Sequence, residues 1–327
     1  MSGPRVAVIG YGAVCVKHAE VLRALGAELV AACNRSEAGR QRARTECGIQ
    51  ETYADPLEMV ERAAPDALLV TPSVLSLYDV LKQVIPLGLP ILAEKPPGTS
   101  LAEATELAGL ADRHGTRVMV GLNRRFYSVY RRALEHVGGR AALTRVSVEW
   151  SEDPAAYLQH GHPPALIPRL NFANSLHGLD LLTCFGGPLS RAKAWGRDLD
   201  RSSRLPRWQM SLDAVSDTGL RAHFDSTWDA PGRWRLLLDA ESARIVSAPL
   251  ETARVSIAGR PEIEIEPDPE DRLYKPGFHA QARAFLGGVR DEAPIEWPAC
   301  SLAESVRSME LAALVTDACS SEGSSAP

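Results

Sequence analysis

The chain has 327 residues, 45% of them hydrophobic and 24% charged, with a formal net charge of −5. That length holds two domains with full cores, the acidic balance argues against a nucleic-acid footprint, and no apolar run is long enough to read as a membrane span. Six cysteines without metal-type spacing, and a first apolar strand that starts at Val6, lead to the expectation of a cytoplasmic protein with reduced thiols and no signal peptide.

Residues 6–9 are an apolar run of the kind that makes a buried parallel strand. The run leads into Gly10-Tyr11-Gly12-Ala13-Val14-Cys15. Gly10 permits a tight turn and Gly12 lets the backbone approach a pyrophosphate. A helix predicted over 13–25 offers that anion its free N–H groups and positive dipole end. Cys15 is a small residue where a third Gly or Ala is usual, so close packing of helix on strand is retained. The strand predicted over 28–33 ends at Asn34-Arg35-Ser36, where an NAD enzyme places an acid on the ribose hydroxyls. Asn34 carries no charge, and Arg35 and Ser36 offer a guanidinium fork and a hydroxyl to a 2′-phosphate. The combination favours NADP over NAD. The alternative is that Arg35 is a solvated loop residue or stacks on adenine.

The alternation continues. Asp55-Pro56-Leu57-Glu58 caps and opens a helix. A strand over 67–70 ends in Thr71-Pro72, a helix is predicted over 77–85, and a strand over 91–93 ends in Glu94-Lys95-Pro96-Pro97. Ser100 and Glu103 form a capping box before a further helix, and 117–120 is a sixth strand. Strands and helices alternating at this spacing predict an α/β, doubly wound parallel sheet, a Rossmann domain over residues 1–122. Beyond it, Val146, Val148 and Trp150 alternate with polar residues, and strands are predicted near 190–196, 207–215, 219–228, 233–240, 243–247, 253–258 and 262–266. With helices near 278–290 and 301–318, they predict a C-terminal α+β domain over 123–319 with a mostly antiparallel open sheet. Residues 320–327 are small and polar and are expected to be a flexible tail.

Four segments resemble the glucose–fructose oxidoreductase and inositol dehydrogenase family, Gfo/Idh/MocA. They are the stretch from Gly10 to His18, Thr71-Pro72, Ala93-Glu94-Lys95-Pro96, and the stretch from Val120 to Phe126. Order and spacing agree over about the first 130 residues. The resemblance implies an oxidoreductase that moves a hydride between NADP or NAD and a secondary alcohol or ketone carbon of a sugar, cyclitol or nucleotide-linked sugar. It places Tyr11, Ala13, Val14, Thr71, Pro72, Glu94 and Lys95 at the cofactor, beside Gly10, Gly12, Asn34, Arg35 and Ser36. Lys95 would sit beside the nicotinamide, where an ammonium can hold the substrate oxygen, shuttle its proton and polarise the product carbonyl. The bland alternative is a surface lysine at a strand end. The resemblance also implies a cis peptide before Pro96, and a homodimer or homotetramer built on the open sheet.

In the second half the family shows Asp-x-Gly-x-His-x-x-Asp, and His177 and Asp180 match the last two named positions. Spaced by three, they share a helix face. His177 is the candidate for relaying the substrate proton, or else a core or capping histidine. The family's first Asp falls at Ala173 and its Gly at Ser175, with Asn174 adjacent. Either Lys95 and His177 suffice, or another residue substitutes, or catalysis is reduced or absent. Arg125, Tyr157, Asn174 and Asp180 are candidates for the substrate, with Arg124, His160 and Arg169 as weaker ones. Arg131 and Arg132 read as a solvated helix face. His160-Gly-His162 has no third ligand nearby and is not read as a zinc site. Two rival functions stay open: a non-catalytic NAD(P)-binding regulator or sensor, and a redox-neutral sugar-processing enzyme that retains its NAD.

Overall fold

The computed structural model describes residues 3–230, 234–291 and 293–320; the tail expected from residue 320 lies, past that residue, outside the described residues. The first stretch runs β1 (Arg5–Ile9), α1 (Ala13–Ala24), β2 (Glu28–Cys33), α2 (Glu37–Cys47), β3 (Thr52–Tyr53), α3 (Pro56–Ala63), β4 (Ala67–Val70), α4 (Val74–Val84), β5 (Ile91–Ala93), α5 (Leu101–His114) and β6 (Val118–Val120). Then follow α6 (Ser128–Glu135), β7 (Leu143–Trp150), α7 (Pro154–Gln159), α8 (Leu170–Ala173) and α9 (Leu176–Gly186). Seven strands come next: β8 (Leu189–Asp198), β9 (Trp208–Ser216), β10 (Arg221–Thr227), β11 (Arg235–Ala240), β12 (Ala243–Ser247), β13 (Ala253–Ile257) and β14 (Ile263–Ile265). The chain closes with α10 (Pro269–Leu273), α11 (Phe278–Asp291) and α12 (Leu302–Ser320).

Two compact units result. One holds the chain up to Phe126 together with Pro269–Val306, the other Tyr127–Asp268 together with the chain from Arg307 onward. In the first, six parallel strands lie in the order β3-β2-β1-β4-β5-β6. This is the doubly wound order, with its reversal between β1 and β4 and its ligand crevice at the carboxyl ends there. Strands β4, β5 and β6 are buried along their whole length, as strands covered by helices on both faces must be.

Residues 269–306, expected within the second domain, pack with the first unit. On α11, Phe278, Ala282, Phe285 and Leu286 enter the same core cluster as Cys15, Ala19 and Leu22 of α1. The amide of Val120 donates to Cys300 O at 2.8 Å, and Met119 bridges to Ser301. A return of this kind rests on long-range packing, which local periodicity does not report. Helix α4 also begins three residues before its predicted start, behind Ser73 as N-cap.

The second unit is built on eight strands in the order β14-β13-β12-β11-β7-β10-β9-β8. Only β7 and β10 pair in parallel; the other neighbours are antiparallel. Alternation sorts the faces. Val146, Val148, Leu212, Phe224, Leu236 and Leu238 are buried, while Glu149, Asp213 and Asp225 between them are exposed. Helix α9 covers the buried face, and Gly178 makes that approach possible: a Cβ there would stand 2.6 Å from the Trp150 ring.

Candidate active site

In the first unit the turn after β1 is shaped by two glycines with different jobs. Gly10 has φ +84, and a Cβ on it would meet Pro72 N at 2.4 Å. Thr71 Oγ1 donates to Gly10 O at 2.7 Å and staples the β4 end to this turn. Gly12 is the N-cap of α1, and a Cβ there would meet nothing within 4 Å. The first turn of α1 carries no acid, so its N–H groups and positive dipole end open onto a groove of about 720 Å³.

Of the residues expected at the cofactor, Gly10, Tyr11, Gly12, Val14, Asn34, Arg35, Thr71 and Pro72 line this groove. Ala13, Ser36, Glu94 and Lys95 are not on its wall. Cys33, Asp55, Ser73, Ser76 and Asp79 are, and the sequence reading missed them because they arrive from the ends of β2 and β4 and the starts of α3 and α4. Asn34 lies over the start of α2, where its Oδ1 accepts from Ser36 N at 3.1 Å. Ser36, expected to offer its hydroxyl to a phosphate, uses it as the N-cap of α2, accepting from Gly39 N at 3.1 Å. Arg35 is the exposed cation of the rim, with Nη2 3.4 Å from Ser76 Oγ. Arg40 donates to the carbonyls of Asn34 and Arg35 and so fixes the loop. Burial pushes the Cys15 thiol up to about 12 and the Cys33 thiol up to about 11, so both stay protonated and neither is a nucleophile near neutral pH. With a glycine cradle, an uncapped helix start and a rim cation, the groove fits a nicotinamide dinucleotide.

Glu94 and Lys95 follow β5, and the Lys95–Pro96 peptide is cis. Glu94 Oε1 lies 2.9 Å from Nε2 of the buried His18, and Glu94 Oε2 accepts from the Lys95 amide at 3.1 Å. Burial alone would raise the Glu94 carboxyl. The His18 hydrogen bond and the charges of His18, Lys95 and Lys275 outweigh it and hold the group below the usual carboxylate range. Phe278 carries His18 stacked on its ring at 4.2 Å and Lys275 Nζ 4.5 Å from the ring centre. Crowding by protein lowers the Lys275 ammonium, the charges of Lys17 and Arg124 lower it further, and Glu94 opposes them. His18 and Lys275 were not among the expected site residues.

Arg125, expected at the substrate, is instead half of a buried ion pair. Its side chain is 0% exposed and Nη1 lies 2.6 Å from Glu304 Oε1. Glu304 stands in the first turn of α12, so the pair ties that helix start to the turn after β6.

The second unit holds a cavity of about 890 Å³. Its wall includes Glu152, Asp153, Tyr157, His160, His162, Asn174, Asp229, Trp234 and Glu251. Tyr157, Asn174 and His160 were expected to meet a substrate. His177 and Asp180 are buried on α9, off this wall, and Asp180 Oδ1 accepts from Ser308 Oγ at 2.9 Å. Asp180 is therefore a strut between α9 and α12, not a wall residue. Arg169 is also off the wall and donates to Ala165 O at 2.9 Å. Arg131 and Arg132 lie on an exposed face, paired with Asp268. Asp229 has its carboxyl raised, first by partial burial, then by the charge of Asp153, against the opposing charge of Arg207. Among the described residues no group of three or more His, Cys, Asp or Glu is placed to hold a metal ion.

The departures from the family pattern at 173–175 gather on one group. Glu152, just past β7, is 3% exposed. Its Oε1 accepts from Trp150 Nε1 at 2.8 Å and from Ser175 Oγ at 2.7 Å, and Asn174 Nδ2 reaches both oxygens, at 3.1 and 2.9 Å. Ala173, 3% exposed, brings no carboxylate, while Asn174 and Ser175 turn their donors on Glu152. No spacing rule in the sequence joins 152 to 174 and 175.

All six cysteines are buried, and no described helix is long and apolar enough to cross a membrane. Residues 4–122 match the family described as "Oxidoreductase family, NAD-binding Rossmann fold", GFO_IDH_MocA. Myo-inositol dehydrogenase Hyg17 of Streptomyces leeuwenhoekii is 31% identical over 121 residues, 37% of each chain, so the match spans little more than a third of that relative. An oxidoreductase from Agrobacterium radiobacter, solved with NAD+, L-tartaric acid and magnesium, superposes with a TM-score of 0.81 at 13% identity, covering 98% of this chain and 97% of that one. UDP-N-acetylglucosamine 3-dehydrogenase GnnA of Acidithiobacillus ferrooxidans gives 0.79 at 16% identity, covering 98% of both. The glycine cradle and the Glu94-Lys95-Pro96 turn both lie within residues 4–122, so the match to the Gfo/Idh/MocA oxidoreductase family is carried by the NAD-binding Rossmann domain.

Proposed function

We infer that the chain is an NAD(P)-dependent dehydrogenase or reductase acting on CH–OH groups, moving a hydride to or from a secondary alcohol or ketone carbon of a sugar, cyclitol or nucleotide-linked sugar. The observation that carries this reading is the groove over the open N-terminus of α1, in the same unit as Lys95 after β5. The names of Hyg17 and GnnA, an inositol and a nucleotide-sugar dehydrogenase, support the substrate class. A nicotinamide dinucleotide, when bound, supplies or accepts the hydride. Lys95 holds the substrate oxygen and polarises the carbonyl. His177 relays the proton. The first unit is assigned to the dinucleotide and the second to the substrate. The open sheet face, with Trp195 47% exposed, is assigned to a homo-oligomer contact.

Arg35 supports NADP as the preferred cofactor, since it is a rim cation with no carboxylate on Asn34 to repel a 2′-phosphate. Tryptophan fluorescence titration with NADPH and NADH, on wild type and Arg35→Ala, tests the reading. NADPH binds more tightly to wild type, and the variant loses about tenfold for NADPH and little for NADH. A protein that binds neither, after any retained cofactor is removed, is not a dehydrogenase.

A further inference from the structure

We propose that the outer face of the second unit's sheet carries an anion site, a pocket across β7, β8, β9 and β10 that takes a small molecule bearing a multiply charged oxyanion such as a diphosphate.

The pocket measures about 460 Å³, and its wall holds Arg145, Arg191, Lys193 and Arg221 with Asp213 and His223. That volume suits a small molecule. The pocket shares no wall residue with the groove of the first unit or with the cavity of about 890 Å³. In a chain of net charge −5, four cations around one carboxylate are a local reversal of sign. The strand register gathers them. Arg221 of β10 stands opposite Arg145 of β7, and Lys193 of β8 opposite Asp213 of β9. Like charges directly opposite each other destabilise a sheet unless something answers them.

Elsewhere on this sheet such charges are answered. Arg235 Nη1 lies 3.0 Å from Glu149 Oε1, Arg244 Nε 2.6 Å from Asp239 Oδ1 and Arg254 Nη1 3.6 Å from Glu262 Oε1. In the pocket, Arg145 Nε is 3.1 Å from Asp239 Oδ2, a carboxylate already shared with Arg244. Asp213 turns away from Lys193 and lies 2.9 Å from His223 Nδ1, while Asp225 holds the other ring nitrogen. Burial lowers the pKa of His223, but the hydrogen bonds to Asp225 and Asp213 and their charges outweigh it and hold it above the usual histidine value. The imidazole thus answers Asp213 itself. The exposed side chains of Arg191, Lys193 and Arg221 form no hydrogen bond or ion pair among the described residues. Arg191 is also held at φ +51, in a bulge of β8 between Ser190 and Lys193. Glycine is the residue that fits this conformation, and a bulge re-aims its side chain. Here the strained position carries a guanidinium onto the pocket wall. Guanidinium forks bind oxyanions through paired N–H donors, and one singly charged group would leave most of this cluster unanswered. The ligand therefore carries at least two negative charges.

The test uses the full chain at a fixed ionic strength of about 0.15 M. Calorimetric titration with inorganic pyrophosphate, and separately with citrate, is run on wild type, Arg191→Gly, Arg221→Gln and Lys193→Gln. Arg35→Ala, on the rim of the dinucleotide groove, and Arg235→Gln, a paired cation of the same sheet, are the controls. Pyrophosphate is expected to bind wild type with a Kd below about 1 mM. Each pocket variant should weaken it by roughly tenfold, and the controls by less than about twofold. Arg191→Gly should melt no lower than wild type, since glycine accepts that φ, so its loss of binding is not a loss of fold. Citrate bound more tightly than pyrophosphate, with the same sensitivity to the pocket variants, supports the site and makes a polycarboxylate its ligand. Binding lost in Arg35→Ala but kept in the pocket variants puts the anion in the first unit and overturns the proposal. Equal weakening in Arg235→Gln reduces the effect to the diffuse field of the sheet and overturns it too. So does a wild type that binds neither anion at up to about 10 mM.

Discussion

The groove of the first unit and the cavity of the second are built from different materials. The groove is mostly backbone: a glycine at φ +84, a bare helix start and a threonine stapling two strand ends. The cavity is made of side chains from the β7 end, α7, the entry to α9, and the loops around 229 and 251. A backbone site constrains the residue types that can occupy a few nearby positions, whereas a side-chain site is specified only once distant segments have met. The first is specified by a few glycines and a helix start close together in sequence, and the second by distant segments that must meet, as Glu152 with Asn174 and Ser175 illustrates.

The largest expected effect separates chemistry from recognition. Lys95→Ala should lower kcat by about 10²- to 10⁴-fold, while dinucleotide affinity in the fluorescence titration stays within about threefold. Turnover retained within about tenfold in Lys95→Ala would mean that a group other than Lys95 carries the chemistry, whereas a regulator would bind dinucleotide and show no turnover even as wild type.

An intermediate effect tests the backbone claim at two glycines two residues apart. A Cβ at Gly10 combines a left-handed φ with a 2.4 Å approach to Pro72 N. Gly10→Ala should cost about 2–4 kcal/mol, lowering the melting temperature of the first unit by roughly 5–15 °C. A Cβ at Gly12 meets no atom within 4 Å and points into open space. Gly12→Ala should leave melting within about 2 °C and weaken the dinucleotide about tenfold. Equal melting losses in both variants would show that Gly12 serves the fold and not the ligand.

The sequence was legible where structure is local. The strand and helix periods, the caps at Asp55 and Ser100 and the turn after β1 are set by neighbours within a few residues, and the observed elements follow them. Legibility failed where partners are far apart. Arg125 is spent on Glu304, 179 residues away, and Asp180 on Ser308, 128 residues away. Each has the polar chemistry of a site residue, and only the tertiary partner reveals a structural use. Glu152 is the converse: a lone acid after a strand gains meaning from Asn174 and Ser175, about 22 residues on.

The smallest effect concerns Glu94, the carboxylate after β5. Glu94 has a folded pKa below its unfolded value, which for a glutamate is about 4.3. A depressed carboxylate stabilises the fold above the unfolded value, and that contribution fades as pH falls through the folded one. Glu94→Gln lacks the contribution at every pH. The gap in melting temperature between wild type and Glu94→Gln should therefore be widest near neutral pH, shrink as pH drops below about 4, and appear in the transition of the first unit. A gap that widens toward acid would mean that burial, which raises this carboxyl, outweighs the His18 hydrogen bond and the surrounding cations. Glu94 would then hold its proton in the folded state.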